Sequence, residues 1–113
     1  MENKNHIMEA ITMEVKTLRV KTNSVPNSIA SAIVGMTKEG NSVVLQGIGN
    51  GAVGQAVKAI AIANKFVEKE TFKFISEPVF VDLEVDGKER TGLKLILTTV
   101  EKEVAVETEV EGE

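Results

Sequence analysis

A glycine-rich turn at residues 47–54 carries the residues best suited to hold a ligand. The turn reads GIGNGAVG, follows a short apolar strand and opens a helix rich in Ala, Ile and Val. Glycines let the backbone bend tightly, and the first amides of a helix have no partner within it. Such a turn can therefore bind an anion or allow a neighbouring backbone to approach closely, and the residues alone leave both open.

The turn also contains the dinucleotide-binding pattern G-x-G-x-x-G, at residues 49–54. Glu68 or Glu70 lies downstream, where such a site places the carboxylate that binds the ribose. The preceding strand, however, is the second in the chain, too few residues follow for another nucleotide-binding half, and a hairpin ends the domain. We therefore expect close packing of the helix, and neither a nicotinamide nor a flavin; the sequence indicates no cofactor.

Residues for catalysis or metal binding are few. The single histidine, His6, precedes the predicted fold, so a Ser-His pair is not expected, and Ser24 is better explained as a helix cap. Asp82, Glu84 and Asp86 have strand spacing and could approach a divalent cation. No further oxygen ligand is indicated, so an exposed acidic strand face is favoured. We predict that the protein is not an enzyme and has no metal site.

Basic and amide side chains offer another chemistry, contact with phosphates. Lys21, Asn23 and Ser24 lie where the first strand meets the first helix, and Lys58 follows the glycine turn by about two helical turns. Further cations come from strands and a hairpin: Arg19, Lys88, Arg90 and Lys94. They are either ordinary solvated side chains or a shallow face that contacts a nucleic-acid backbone. The chain has no Tyr or Trp, so base stacking is poorly supported.

Charge divides the chain into three parts. Residues 15–99 have 11 basic and 8 acidic side chains, whereas residues 101–113 have six Glu and one Lys. We predict a leader at 1–15, one domain at 16–100, and a disordered acidic tail at 101–113. The tail either solubilises the protein or competes with nucleic acid for the basic surface. Without Cys, a signal peptide or a membrane-spanning run, the expected location is cytoplasmic.

Hydrophobic periodicity places these residues on six elements. A strand at 17–21 leads through Pro26 to a helix ending at Gly40; a strand at 42–48 precedes a helix at 52–66. A strand at 71–85, marked as an edge or bulge by Pro78, joins its return strand, 88–99, through Asp86-Gly87. The order β-α-β-α-β-β predicts an α+β, two-layer sandwich with two helices on one face of a four-stranded sheet.

The second helix is apolar on two sides. Its predicted inner stripe is Val53, Ala56, Val57, Ile60 and Ala63 or Asn64, continuing to Val67, with Ala52, Ala59 and Ile62 outside it. A domain of this size has one core, so the second side needs another partner. We predict a homodimer or higher homo-oligomer formed through helix 52–66.

Three segments resemble the stage V sporulation protein S family of bacteria. They read VPNSIASAIVG, GIGNGAVGQAVKAIAIANKFV and PVFVDLEVDGKERTGLKLIL. The similarity covers about residues 17–99, and its most specific part is the run from Gly49 to Ala63. The family is similar to the Alba superfamily, whose small β-α-β-α-β-β domains dimerise and in many members bind DNA or RNA.

The resemblance implies an Alba-like fold, a homodimer, and nucleic-acid binding in sporulation or developmental regulation. It places the binding positions near Lys21 to Ser24, around Gln46 and Gly49 to Ala52 (with Asn50 and Gly51), and on the hairpin with Lys88 and Arg90. The hairpin is short and mixed in charge, and only Lys21 remains of the paired lysines expected at the first junction. Weaker binding than that of a chromatin protein is therefore expected. An oligomeric assembly module that binds no nucleic acid is the alternative.

Overall fold

The fold alternates strands and helices and ends in a long hairpin. A computed structural model describes residues 14–103 and 106–112. Its elements are β1 (Val15–Arg19), α1 (Pro26–Lys38), β2 (Ser42–Gly47), α2 (Asn50–Phe66), β3 (Phe72–Val85) and β4 (Lys88–Glu101). This is the predicted β-α-β-α-β-β order in an α+β architecture with a four-stranded sheet and two helices, consistent with the Alba-like fold.

The four strands form one mixed sheet in the order β1-β2-β4-β3. β1 and β2 are parallel, and β4 is antiparallel to both β2 and β3. β3 and β4 pair continuously from Phe72↔Glu101 to Val85↔Lys88, so Pro78 lies without a bulge on an edge strand, where its missing N–H is tolerated. Asp86 and Gly87 have φ of 53° and 78°, as a two-residue hairpin turn requires.

One side of the sheet packs against both helices and forms the core. Val43 and Leu45 of β2 and Leu95 and Leu97 of β4 are buried there, alternating along each strand with side chains of the opposite side. The two helices and the edge strand complete the cluster with Ala30, Ile33, Ala56, Ala59, Ala63 and Phe74. We call this side of the sheet the covered face and the opposite side the uncovered face.

The inner side of α2 agrees with the predicted stripe at Ala56 and Ala63, but Val57 is exposed and Ala52 and Ala59, which the prediction placed outside the stripe, are buried. Its buried residues are Ala52, Ala56, Ala59 and Ala63, whereas Val57 is 53% exposed. α2 packs against both the sheet and α1, and small side chains let its backbone approach these two neighbours closely. Val57 is more hydrophobic than alanine, but close packing of α2 on two neighbours favours small side chains on its buried side.

The start of α1 also differs in detail. Pro26 occupies the first turn, as predicted, but Val25 is the N-cap residue and no side chain caps the helix. Ser24 instead accepts a hydrogen bond at its Oγ from the backbone N–H of Lys21, at 2.8 Å. Its hydroxyl therefore stabilises the turn that leads into the helix.

Most of the predicted leader lies outside the described residues, including His6, as do Val104, Ala105 and Glu113 of the tail. The start of the tail is fixed to the domain. Lys102 donates from Nζ to the carbonyl oxygens of Val67 and Glu68, at 3.3 and 2.7 Å. A cation at these carbonyls complements the negative end of α2. In the part of the chain that the structure describes, neither helix has the length and apolarity needed to cross a bilayer.

Candidate functional site

The loop between β1 and α1 is fastened to the first turns of α2. The side-chain amide of Gln55 donates from Nε2 to the carbonyl oxygens of Thr22 and Ser24, both at 3.0 Å. The backbone N–H of Val20 donates to the carbonyl of Gln46 at 2.8 Å, which continues the pairing of β1 with β2. These bonds fix the segment at 21–24 relative to the start of α2, so we call the two together the junction.

The glycine turn allows close packing at two of its glycines and leaves the start of α2 exposed to solvent. A Cβ on Gly51 would lie 2.9 Å from Thr22 atoms and one on Gly47 would lie 3.0 Å from the Cβ of Ala52, so both glycines allow close packing. Gly49, with φ of 89°, is the N-cap of α2 and makes no side-chain cap. Gly49 and Asn50 are exposed, so the first turn of α2 is accessible from solvent.

Charged side chains are segregated between the two faces of the sheet. Alternation along the strands and the cross-strand register place five cations and one acid on the uncovered face: Arg19, Lys73, Lys88, Arg90, Lys94 and Glu77. The same register places four acids and one cation on the covered side of the strands: Asp82, Glu84, Glu89, Glu101 and Lys16. The uncovered face is therefore strongly basic in a protein whose net charge is −4.

These cations are available to a ligand. The ion pairs between described residues are Lys16–Glu14 and Lys38–Glu70, both at 3.4 Å, and neither involves the uncovered face. Four of its five cations are exposed, and Lys94 is half-buried. Apolar residues such as Val44 and Ile96 lie between the cations on this face and are largely buried by their neighbours. Positive charge on this face is therefore exposed to solvent.

An open groove joins the junction to the uncovered face. It has a volume of about 470 Å³ and lies at the carboxyl ends of β1 and β2, with Lys21 and Gln46 in its lining. The distal part of β3 closes its other side. In open α/β sheets, ligand sites recur at the carboxyl ends of parallel strands.

Comparison with protein families decides the classification. The model of the family described as stage V sporulation protein S (SpoVS) matches residues 16–100. The chain belongs to the SpoVS family. Membership implies a role related to sporulation, and the matched range coincides with the sheet, the two helices and the groove.

Within this SpoVS domain, the predicted site residues fall into three groups. The junction and its groove bring together Lys21, Asn23, Ser24, Gln46, Gly49, Asn50 and Gly51. Lys88 and Arg90 lie on the uncovered face of the hairpin. Lys58 lies on the outer side of α2, away from its buried alanines. A single copy of the chain therefore does not present Lys58 on the same surface as the hairpin cations.

Arg19 and Lys94 are named from the sequence as candidate cations of a shallow face, without being placed together, and Lys73 is not among them. The alternation of β4 and β1 indicates which side of its own strand each one occupies, but only the register shows that they share a face. The acids singled out earlier, Asp82 and Glu84, lie on the covered side. Among the described residues, no three side chains of the metal-ligating types are grouped closely enough to hold an ion.

Proposed function

We propose that this protein is a non-enzymatic regulator that binds the phosphate backbone of DNA or RNA through its uncovered face. The observation that carries the proposal is the segregation of five cations and a single acid on that face. Lys and Arg side chains form the phosphate contacts that position nucleic acid without reading its sequence. A sporulation-related role in the SpoVS family is compatible with a regulator of this kind.

The composition of the face favours backbone contacts over base contacts. Phe74 is buried in the core and Phe80 lies on the covered side, so the strands place no aromatic side chain among the cations. Base stacking, which supplies much of the affinity for single strands, is therefore weak here. Affinity then depends on charge and decreases steeply as the salt concentration rises.

The junction extends this surface at one edge. Arg19 belongs to the uncovered face and also lines the groove with Lys21, so positive charge continues from the sheet to the start of α2. The accessible amides near Gly49 and Asn50 add donors there, and α2 has no acidic residue in its first turn. The hydrogen bonds of Gln55 hold these groups in place before a ligand arrives.

A second copy of the chain is the proposed partner for the exposed apolar side of α2. Asn64 bonds the backbone of Phe74 at 2.8 and 3.1 Å, so the side of α2 shared by Val57 and Asn64 faces β3. Phe80, on the covered side of β3, is 80% exposed. Exposed apolar side chains such as Val57 and Phe80 favour association, and pairing through the helical side leaves both uncovered faces free. The proposed state is a homodimer through α2.

Fluorescence anisotropy tests the binding proposal. The full-length chain is titrated against labelled duplex DNA and duplex RNA at low salt. The double variant Lys73→Gln/Lys94→Gln should bind at least tenfold more weakly, which corresponds to about 1.4 kcal/mol. The matched control Lys65→Gln/Lys69→Gln removes the same charge from the last turn of α2 and the loop after it, outside the strands, and should bind as the parent does. No binding of the parent at low salt, or equal losses in both variants, would contradict the proposal.

The exposure of Phe80 also favours a second function, an assembly module that binds no nucleic acid. The variant Phe80→Ser separates the two. Sedimentation should show that it shifts the dimer towards monomer, while each monomer keeps its uncovered face and its salt-sensitive binding. Assembly lost in Phe80→Ser, together with no nucleic-acid binding by the parent, would support the assembly module instead.

A further inference from the structure

The groove at the junction combines charge with an apolar wall. Arg19 and Lys21 lie on one side of it, and Leu83 and Val85 of the hairpin lie on the other. Leu83 and Val85 share the uncovered face with Arg19, so the hairpin curves over the ends of β1 and β2 on that side. An exposed basic surface is sufficient to contact a nucleic-acid backbone. This groove differs from such a surface because it is concave.

Close backbone packing holds the hairpin in this position. A Cβ on Gly92 would lie 2.8 Å from the carbonyl oxygen of Gly47 and 3.2 Å from Cδ1 of Leu83. Gly92 is buried, and any larger residue would push β4 away from the end of β2. The apolar wall is therefore fixed by the fold and does not depend on a ligand to form.

The lining limits the chemistry of a ligand. A volume of about 470 Å³ falls within the usual range of small-molecule sites, which is roughly 300–1,000 Å³. Two adjacent cations suit a phosphate group, whereas the wall of Leu83 and Val85 suits a flat or apolar group that inorganic phosphate lacks. Glu84 also borders the groove, and its negative charge disfavours ligands with several phosphates.

Gln46 adds a polar group that can orient such a ligand. It lines the groove, and its side-chain amide has no hydrogen-bond partner among the described residues. An amide both donates and accepts, as the edges of nucleobases and the hydroxyls of ribose do. We propose that the groove binds one nucleoside monophosphate group, either as a free nucleotide or as the phosphorylated end of a nucleic-acid strand.

This inference goes beyond the proposed backbone binding, and either can hold without the other. Backbone binding needs charge spread over the uncovered face, whereas the groove needs one phosphate beside one base or sugar. The phosphate would lie near Arg19 and Lys21, and the nucleoside would pack against Leu83 and Val85. Gln46, between these groups in the lining, would bond the nucleoside.

NMR titration of the full-length, ¹⁵N-labelled chain tests the groove directly. The four ribonucleoside 5′-monophosphates are added singly, with inorganic phosphate and the unphosphorylated nucleosides as controls. Saturable shifts should appear for amides at 19–22, 46–48 and 83–85 with Kd below about 1 mM for at least one nucleotide. Phosphate or nucleoside alone should bind at least tenfold more weakly. Equal shifts from a nucleotide and from inorganic phosphate would overturn the proposal.

Two oligonucleotides distinguish the sources of the ligand. They share one sequence and differ only in carrying a 5′-phosphate or a 5′-hydroxyl. Preference of the groove amides for the phosphorylated strand would assign a strand end, and a response to free nucleotide with no such preference would assign a free nucleotide. Both results support the groove, whereas no response of these amides to either oligonucleotide or nucleotide would contradict it.

The two arginines of the chain provide matched variants. Arg19→Gln should weaken nucleotide binding at the groove at least tenfold, and Arg90→Gln should leave it unchanged, because Arg90 lies outside the lining. Leu83→Ala should weaken binding of the nucleotide but not that of inorganic phosphate. Arg90→Gln should still weaken binding of long duplexes, so failure of the groove and failure of backbone binding give different patterns. Equal effects of Arg19→Gln and Arg90→Gln on the nucleotide would overturn the proposal.

Discussion

The two faces of the sheet are made by the same strands but carry different side chains. On the covered face, β2 and β4 place Val43, Leu45, Leu95 and Leu97 against the helices. On the uncovered face, the intervening positions hold Arg19, Lys94 and other cations. Because alternation along a strand separates the two sets, one face can change its charge while the other keeps its packing.

The hairpin shows the same separation most clearly. Its sequence, VDLEVDGKERTGLKL, mixes acids and bases, and the pattern predicts strands at 71–85 and 88–99 on either side of the turn. In the structure each strand has 14 residues, and the bases Lys88, Arg90 and Lys94 share the side opposite to Glu84 and Glu89. The hairpin therefore has about the predicted length, and its charged side chains are sorted by side.

The largest effect expected from this comparison is on stability at the covered face. Leu45 is fully buried, so Leu45→Ala should lower the free energy of unfolding by about 2–5 kcal/mol. Thr17, exposed on the other side of the neighbouring strand, provides the control Thr17→Ala, which should change it by less than about 0.5 kcal/mol. Urea denaturation measures both. Similar losses of stability in the two variants would show that the covered and uncovered faces contribute equally to folding.

Charge reversal on the uncovered face should give the next largest effect. Arg19→Glu/Lys94→Glu should weaken duplex binding by about 100-fold, because it removes two phosphate contacts and adds repulsion. The free energy of unfolding should change by less than about 0.5 kcal/mol for the exposed Arg19, with a modest addition for the half-buried Lys94. Anisotropy and urea denaturation on the same samples separate these outcomes. A loss of binding that tracks a loss of folded protein would count against a binding face.

The single acid of the uncovered face offers a gain of binding. Glu77→Lys should strengthen duplex binding by about threefold to tenfold, since it replaces the one acid that the described strands place on this face with a cation. Glu89→Lys makes the same change of charge on the other side of the hairpin and should have a smaller effect. Anisotropy at fixed salt measures the pair. Equal gains from both would show that net charge, and not the face, determines binding.

The smallest effect is expected at the junction. Gln55→Ala removes two hydrogen bonds to the β1–α1 loop and should lower the free energy of unfolding by about 1 kcal/mol. Amide exchange should become faster at residues 21–24, because the loop is no longer fixed to α2. Exchange rates unchanged from those of the parent would show that other contacts hold the loop.

Local patterns in the sequence predicted much of the fold. The β-α-β-α-β-β order, Pro26 in the first turn of α1, the edge position of β3 and the turn at Asp86-Gly87 all follow from hydrophobic period and turn chemistry. The buried side of α2 was predicted only in part, at Ala56 and Ala63, because the packing of α2 on two neighbours favours alanine over the more hydrophobic Val57. Side-chain size outweighed hydropathy at that interface.

The candidate site was only partly predictable, for a related reason. Residues near one another in sequence, such as Lys21 to Ser24, were placed at the junction from the pattern alone. The basic face required the register of three strand pairings, since it joins Arg19 to Lys73 and Lys94 across the whole sheet. The fastening role of Gln55 likewise depends on a contact between segments about thirty positions apart.

The salt dependence of duplex binding tests the central claim most directly. The logarithm of the binding constant is plotted against that of the salt concentration for the parent, for Lys73→Gln/Lys94→Gln and for Lys65→Gln/Lys69→Gln. If each cation of the uncovered face contacts one phosphate, the slope should become shallower by about 0.9 per lysine removed from that face. The control Lys65→Gln/Lys69→Gln should keep the slope of the parent. Identical slopes for all three proteins would contradict a binding site on the uncovered face.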